Sequence, residues 1–206
     1  PEAVPRFLRE AREASHLSHP NVITLFDFGQ TAKGELFLVM ELLEGRSLDS
    51  LLDGSEQMSL ERVVAIGSQI CDALAAAHEQ EIVHRDLKPE NIIILENAGR
   101  LGEFVKVIDF GIAKIKLLDR DTPLTKNQSV YGTPGYMSPE QIRGERIDGR
   151  TDLYSLACLL YQMLTGKHPF IRKNIAELLV AHMCEEPRSI TELRPDVPER
   201  LSRLIS

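Results

Sequence analysis

The residues best suited to chemistry lie in one dense segment, His84-Arg85-Asp86-Leu87-Lys88-Pro89-Glu90-Asn91. Asp109-Phe110-Gly111 begins eighteen residues after Asn91, and a strand-like apolar run lies beside each motif. Carboxylates grouped with an amide and a lysine can gather a divalent metal ion and neutralise a phosphate. An acid in a loop is more often a cap or a solvated charge, so each motif alone means little. Their order and shared context argue against chance and predict a catalytic site.

Together the two segments resemble the catalytic loop and the metal-binding motif of protein kinases. The resemblance implies that Asp86 accepts the proton of a substrate hydroxyl. It also implies that Asn91 and Asp109 hold Mg²⁺, with Mn²⁺ as an alternative ion. Lys88 would add positive charge beside the transferring phosphoryl group of ATP. Phosphoryl transfer requires mainly positioning and charge neutralisation from a protein, which suits these residue types.

A third segment, Gly132-Thr133-Pro134-Gly135-Tyr136-Met137-Ser138-Pro139-Glu140, resembles the end of a kinase activation segment. Ser138 stands where the family usually has alanine, and Glu140 matches the glutamate of that triplet. In the family this stretch forms the surface on which a peptide lies. Lys88 with Thr133 looks like the serine/threonine type, so the implied partners are ATP and a protein with a Ser or Thr to be phosphorylated.

Other positions match the family one at a time. Glu10 resembles the helix glutamate that pairs with a small-lobe lysine, although a solvated helix charge is the alternative. Asp152 resembles the helix aspartate that anchors the backbone of the catalytic loop. The resemblance makes His84 and Phe110 packing residues between the lobes, and Gly111 completes the metal-binding motif.

The segment Leu38-Val39-Met40-Glu41-Leu42-Leu43 resembles the hinge that joins the two lobes of a kinase and binds adenine. Met40 looks like the gatekeeper. Glu41 and Leu43 would pair with adenine through a backbone carbonyl and a backbone N–H, so we expect their side chains to be weakly constrained. Ile93 would supply the apolar floor under the base.

Arg85 directly precedes Asp86, which suggests a kinase whose activation loop is ordered by phosphorylation. A phosphate carries close to two negative charges and can pair with the guanidinium group. Thr125 is the first candidate for phosphorylation, Ser129 the second and Thr122 the third. The alternative is that these hydroxyls only solvate a loop.

Apolar periodicity predicts the elements that must position these residues. Helices are expected over 6–17, 60–80, 152–164 and 175–184. Strands are expected over 22–28, 36–42, 92–95 and 104–108, while Gly45 and Arg46 only break the pattern. The resemblance implies an α+β, two-lobed fold with ATP between the lobes. Residues 1–43 would form a partial small lobe with one helix and a β hairpin, and residues 44–206 a mostly helical large lobe.

Parts of the family pattern are missing from this sequence. No Gly-rich loop and no strand lysine precede Glu10, and the arginine that usually pairs with Glu140 would follow Ser206. We therefore expect a catalytic domain truncated at both ends and, by itself, weakly active or inactive. Without that arginine, a buried Glu140 would carry a desolvation cost or take up a proton.

Composition narrows the function classes further. The formal net charge of −7 argues against a nucleic-acid binder, because phosphate binding requires a basic surface. Three widely spaced cysteines and no 18-residue apolar run indicate a reducing compartment and no membrane contact by this segment. We expect a cytoplasmic protein or the cytoplasmic part of a membrane-anchored one. Five histidines lack metal-ligand spacing and are interpreted as turn or core residues: His16, His19, His78, His168 and His182.

Three functions are compatible with these residues. The first is an ATP- and Mg²⁺-dependent serine/threonine protein kinase of the bacterial, eukaryotic-like kind, with a kinase dimer as a further predicted partner. The second is a pseudokinase scaffold, favoured by the missing glycine loop and opposed by intact Asp86, Asn91 and Asp109. The third, a small-molecule phosphotransferase, leaves the segment from Thr133 to Glu140 unexplained.

Overall fold

The computed structural model describes residues 3–52, 57–95, 102–110 and 134–205, and the fold is α+β, as expected. Within those ranges the helices are α1 (Ala3–His16), α2 (Leu48–Leu52), α3 (Leu60–His78), α4 (Pro139–Arg143), α5 (Arg150–Thr165), α6 (Ile175–Cys184), α7 (Ile190–Leu193) and α8 (Glu199–Ile205). The strands are β1 (Leu25–Gln30), β2 (Leu36–Met40), β3 (Gly45–Ser47), β4 (Ile92–Leu95) and β5 (Phe104–Val107). Short 3-10 turns cover Pro89–Asn91 and Pro134–Tyr136.

The N-terminal part is a helix packed on a hairpin. Helix α1 buries Phe7, Ala11 and Ala14, whose spacing places them on one face of the helix. That face contacts β1, which pairs with β2 in an antiparallel hairpin. Both the helix and the hairpin were predicted from the sequence, and their ends differ from the predictions by a few residues.

The second sheet has three antiparallel strands in the order β3-β4-β5. Strand β3 was missed by the sequence analysis, which interpreted Gly45 and Arg46 only as a break. Three residues are too few to show an alternating pattern. A Cβ atom at Gly45 would lie 2.4 Å from the carbonyl oxygen of Ile94, so the close approach of β3 to β4 requires glycine.

Helix α3 forms the centre of the apolar core. Ser59 caps its N-terminus by accepting a hydrogen bond from the N–H of Arg62. One face of the helix is fully buried, and it packs against β5 and α5. The core therefore joins the three-stranded sheet to the helices that follow it.

Helix α5 is the second buried helix. It begins two residues earlier than predicted, and it is followed by its C-cap residue Gly166, which adopts the left-handed conformation with φ 71°. Helix α6 has the predicted bounds, with Asn174 as its N-cap. Among the residues described here, no helix has both the length and the apolar character needed to cross a bilayer.

Candidate active site

The catalytic loop is held by hydrogen bonds to Asp152, which is fully buried near the start of α5. Its carboxylate accepts hydrogen bonds from the backbone N–H groups of His84 and Arg85, both at 2.8 Å. Backbone amides bound in this way hold the loop without using any of its side chains. The side chain of Asp86 takes no part in this anchoring.

His78 is a third partner of Asp152, and the sequence analysis missed it. Its Nε2 atom lies 2.7 Å from Oδ2 of Asp152, at the C-terminal end of α3. Gly149 leaves room for the imidazole ring, since a Cβ there would lie 2.8 Å from Nδ1 of His78. The interpretation of His78 as a plain turn or core residue is incomplete. No short-range pattern in the sequence would have revealed a contact across 74 residues.

The residues proposed to act on phosphate lie close together. Nζ of Lys88 is 3.1 Å from Oδ2 of Asp86, and the two side chains are 22% and 23% exposed, so both reach solvent. Asn91 is buried and donates its Nδ2 hydrogen to the carbonyl oxygen of Asp86 at 2.8 Å. The N–H of Ile108 donates to the Asn91 carbonyl at 2.9 Å, which brings Asn91 beside Asp109.

Two of these positions have strained backbone conformations. Arg85 has φ 69° and Asp109 has φ 63°, in the left-handed region that side chains other than glycine seldom adopt. Such conformations cost about 1–3 kcal/mol each and persist only where surrounding structure enforces them. At Arg85, the bond from its backbone N–H to Asp152 and one from Nε2 of Gln141 to its carbonyl at 2.6 Å supply that enforcement.

His84 and Phe110 join the two motifs by packing. Their rings meet edge to face with centroids 4.7 Å apart, and both side chains are buried. Nε2 of His84 also lies 2.9 Å from the carbonyl oxygen of Ile108. A small cavity beside this pair is lined by Phe110, Asp109, Met40, Ala14, Val22, Ile23 and Leu25. The gatekeeper candidate and the metal-ligand candidate therefore share one cavity.

Glu41 departs from expectation, because its side chain is strongly constrained. The carboxylate accepts hydrogen bonds from Nζ of Lys106 at 2.6 Å and from the N–H of Thr24 at 2.7 Å. Burial opposes ionisation here, yet these hydrogen bonds lower the pKa of the Glu41 carboxyl below its ordinary value. Lys106 was not singled out in the sequence at all.

The remaining nucleotide-site candidates lie in or next to strands. Ile93 is half-buried on β4, and Leu43 is half-buried after β2. Among the described residues, the Glu41 carbonyl and the Leu43 N–H take part in no hydrogen bond. These two backbone groups are the ones expected to face adenine.

Glu10 is 9% exposed and lies on α1, so it is not a solvated helix charge. It lines a cleft together with Arg85 and Phe110. Helix α1 thus brings a carboxylate to the edge of the catalytic loop.

Glu140 is not the buried carboxylate without a partner that was expected. The carboxylate is half-buried and accepts a hydrogen bond from the hydroxyl of Thr151. Partial burial raises the pKa, but hydrogen bonds from Thr151, from the backbone and from Ser138 outweigh it, so the pKa of Glu140 is lowered. Ser138, the departure from the family's usual alanine, caps α4 in a capping box with Gln141.

Five predicted positions lie outside the described residues: Gly111, Thr122, Thr125, Ser129 and Thr133. Among the described candidates, Asp86, Lys88, Asn91 and Asp109 form the polar group. Met40 ends β2, Glu41 and Leu43 follow that strand, and Ile93 lies within β4.

Comparisons of this chain with family models and with curated proteins point to the same family. The model of the protein kinase domain matches residues 2–205. The serine/threonine-protein kinase pkn3 of Myxococcus xanthus is 46% identical over 205 residues, which are 98% of this chain and 37% of that protein. Pkn1 of the same organism is 43% identical over 100% of this chain and 29% of its own length. PknB of Mycolicibacterium smegmatis is 38% identical over 97% of this chain and 32% of its own length.

The fold has counterparts among solved structures. The kinase domain of Mycobacterium tuberculosis PknI superposes with a TM-score of 0.73 and 25% identity, covering all of this chain and 71% of that one. The chain spans about a third of the length of the curated relatives it matches.

Proposed function

The chain belongs to the protein kinase family, and we propose that the protein containing it transfers the γ-phosphoryl group of ATP to serine and threonine hydroxyls of proteins. The observation that carries this proposal is the polar group at the end of the catalytic loop. Asp86 and Lys88 are 3.1 Å apart and partly exposed, and Asn91 is held against both the loop and the residue before Asp109. Asp109, the fourth member, lines the small cavity that Met40 also lines.

Asp86 accepts the proton of the substrate hydroxyl. Its backbone is fixed by Asn91 and by the anchored amides of His84 and Arg85, so the carboxylate needs little reorganisation when a substrate arrives. Lys88 beside it neutralises charge on the transferring phosphoryl group. The close pair of carboxylate and ammonium thus combines a proton acceptor with a phosphate contact.

Asn91 and Asp109 suit a hard divalent cation such as Mg²⁺ or Mn²⁺. Nδ2 of Asn91 is used in the bond to Asp86, which leaves the Oδ1 atom as a metal ligand. No hydrogen bond between described residues engages that oxygen or the Asp109 carboxylate. Both donors are oxygens, which Mg²⁺ prefers. When bound, the ion neutralises the triphosphate of ATP and orients it.

The adenine end lies at the hinge. The Glu41 carbonyl accepts from the base and the Leu43 N–H donates to it, while Met40 and Ile93 supply apolar contact. This assignment divides the chain near Leu43 into a small lobe and a large lobe. It is supported by the separation of the β1–β2 hairpin from the three-stranded sheet.

Activity is regulated by phosphorylation of the segment that follows Asp109. Arg85 is the phosphate partner, and its Nε atom is buried without a hydrogen-bond partner among the described residues. An uncompensated guanidinium nitrogen is costly, so an incoming phosphate would be bound strongly. Thr125, then Ser129 and Thr122, are the proposed acceptors.

Transfer of labelled γ-phosphate by the full-length protein to a generic basic protein tests the function. Asp86→Asn and Asp109→Asn are each expected to lower the rate by at least about 100-fold. Asp72→Asn is the matched control, because Asp72 is an exposed carboxylate on α3. Label on serine and threonine supports the proposal. ATP consumption without any labelled protein, or equal rates in all variants, would contradict it.

A further inference from the structure

Lys106 lies on β5, three residues before Asp109, and only 9% of it is exposed. Its Nζ atom is 2.6 Å from Oε1 of Glu41 and donates to the carbonyl oxygen of Val22 at 3.1 Å. A lysine seldom becomes this buried unless an anion and further acceptors replace its water. The residue therefore has a specific structural partner on each of two other segments.

Both the side chain and the backbone of Glu41 form hydrogen bonds. Its carboxylate receives Lys106 and the N–H of Thr24, while its own N–H donates to the Thr24 carbonyl at 3.0 Å. The backbone of Glu41 cannot shift without breaking these bonds. Its carbonyl is the group proposed to contact adenine, so the side chain positions the backbone that does the binding.

The segment before β1 is also joined to β5. The N–H of Ile23 donates to the Val107 carbonyl at 3.0 Å, and the N–H of Val107 donates to the Asn21 carbonyl at 2.8 Å. Lys106 adds the bond to Val22 in the same place. Three pieces of chain thus converge on one ammonium group: the segment before the hairpin, the first hinge residue and the strand that leads to Asp109.

We propose that Lys106 is a positioning residue for the nucleotide, which sets the spacing between the adenine-binding hinge and the metal-binding Asp109. The inference rests on the proposed kinase function. ATP must satisfy both ends of its site at once, and a small error in their separation weakens a ligand that spans it. A ligand that engages only one end does not experience that error. This difference separates a positioning role from local support of the hinge.

The experiment measures the KM for Mg²⁺·ATP, kcat, and the inhibition constant of adenosine in the full-length protein. In Lys106→Met, which keeps the aliphatic stem, the KM for ATP is expected to rise about tenfold. We expect kcat and the inhibition constant of adenosine to stay within about twofold, because adenosine lacks the phosphates. Lys106→Arg keeps the positive charge and is expected to retain most of the affinity for ATP.

Two further variants make the result interpretable. Lys33→Met is the matched control, because Lys33 is exposed in the turn between β1 and β2. Glu41→Gln removes the charge from the other partner and is expected to raise the KM for ATP in the same direction as Lys106→Met. Unfolding curves establish the folded fraction of each variant, and Glu41→Gln carries the test if Lys106→Met does not fold.

Several outcomes would overturn the inference. An unchanged KM for ATP in a folded Lys106→Met protein would show that the bonds from Lys106 to Glu41 and Val22 are purely structural. An equal loss of affinity for ATP and adenosine in Lys106→Met would show that Lys106 only supports the hinge locally. A higher kcat in that variant would show that Lys106 restrains activity. A wild-type protein that labels no substrate would instead refute the kinase function, so the two failures are distinguishable.

Discussion

Two carboxylates each hold a piece of backbone that the active site depends on, and they do so in different surroundings. Asp152 holds the catalytic loop, and its partners are two backbone N–H groups and the imidazole of His78. Glu41 holds the hinge, and its partners are a lysine and one backbone N–H. The Asp152 side chain has no solvent exposure, whereas that of Glu41 is 25% exposed.

Solvent exposure determines how much each of these two carboxylates contributes to the free energy of unfolding. Asp152 and its partner His84 are fully buried, so water can replace little of what a lost Asp152 carboxylate supplied, and much of the desolvation cost would remain. At Glu41, water replaces part of what a lost partner supplied. The comparison therefore predicts large effects at the catalytic loop and smaller effects at the hinge.

The largest effect is expected from Asp152→Ala. The backbone N–H groups of His84 and Arg85 lose their acceptor, and the imidazole of His78 loses its partner. Arg85 also loses a bond that stabilises its left-handed backbone. We expect the free energy of unfolding to fall by about 3–5 kcal/mol, together with loss of phosphoryl transfer. Urea unfolding and the labelling assay measure the two quantities.

Asp86→Ala is the contrasting control for that experiment. Its side chain is partly exposed and pairs only with Lys88 among the ion pairs of the described residues. It should abolish transfer while changing the free energy of unfolding by less than about 1 kcal/mol. Similar destabilisation by the two variants would show that burial does not distinguish these carboxylates.

The second effect concerns His78, whose hydrogen bond to Asp152 can be removed separately from the two backbone hydrogen bonds. His78→Leu leaves one carboxylate oxygen with a single backbone donor, and we expect a loss of about 1–3 kcal/mol in unfolding free energy. His78→Gln offers an amide N–H in the same region and should recover part of that loss. Equal stability of the Leu variant and the wild type would remove His78 from the anchor.

The third effect is a pH dependence at the hinge. The pKa of Glu41 is lowered in the folded protein from its ordinary 4.5, so its stabilising contribution is fully present above 4.5 and is lost as the pH falls through the folded pKa. We expect Glu41→Gln to lower the unfolding free energy by about 1 kcal/mol at pH 7. That difference should shrink below pH 4.5 in paired urea titrations. A constant difference at all pH values would exclude the ionised form as its source.

The two anchors also differ in how far sequence could predict them. Asp152 follows a motif whose order and spacing resemble one family, so its relation to the catalytic loop was expected. Lys106 lies in the run Phe104-Val105-Lys106-Val107-Ile108, where alternation places a lysine on the solvent face. The structure buries it against a glutamate 65 residues away, and no local pattern encodes that pairing.

The same reasoning applies to the fold. Helix α6 and strand β4 have the predicted bounds, because each has a clear apolar pattern with punctuation at both ends. Strand β3 and helix α2 are three and five residues long, too short for a period to appear. Glu140 was misjudged because its partner, Thr151, is an uncharged residue that motif matching does not consider.

The smallest effect is expected from the pair of Arg62 and Glu103, which tests whether charge alone could account for the hinge anchor. Nε of Arg62 donates to Oε2 of Glu103 at 2.8 Å, and the side chains are 36% and 37% exposed. Glu103→Gln should lower the unfolding free energy by about 0.5 kcal/mol, and about 1 M salt should remove the difference. The loss in Glu41→Gln should be larger and less sensitive to salt, because Lys106 is nearly buried. Equal size and equal salt sensitivity of the two losses would mean that burial contributes nothing to the hinge anchor.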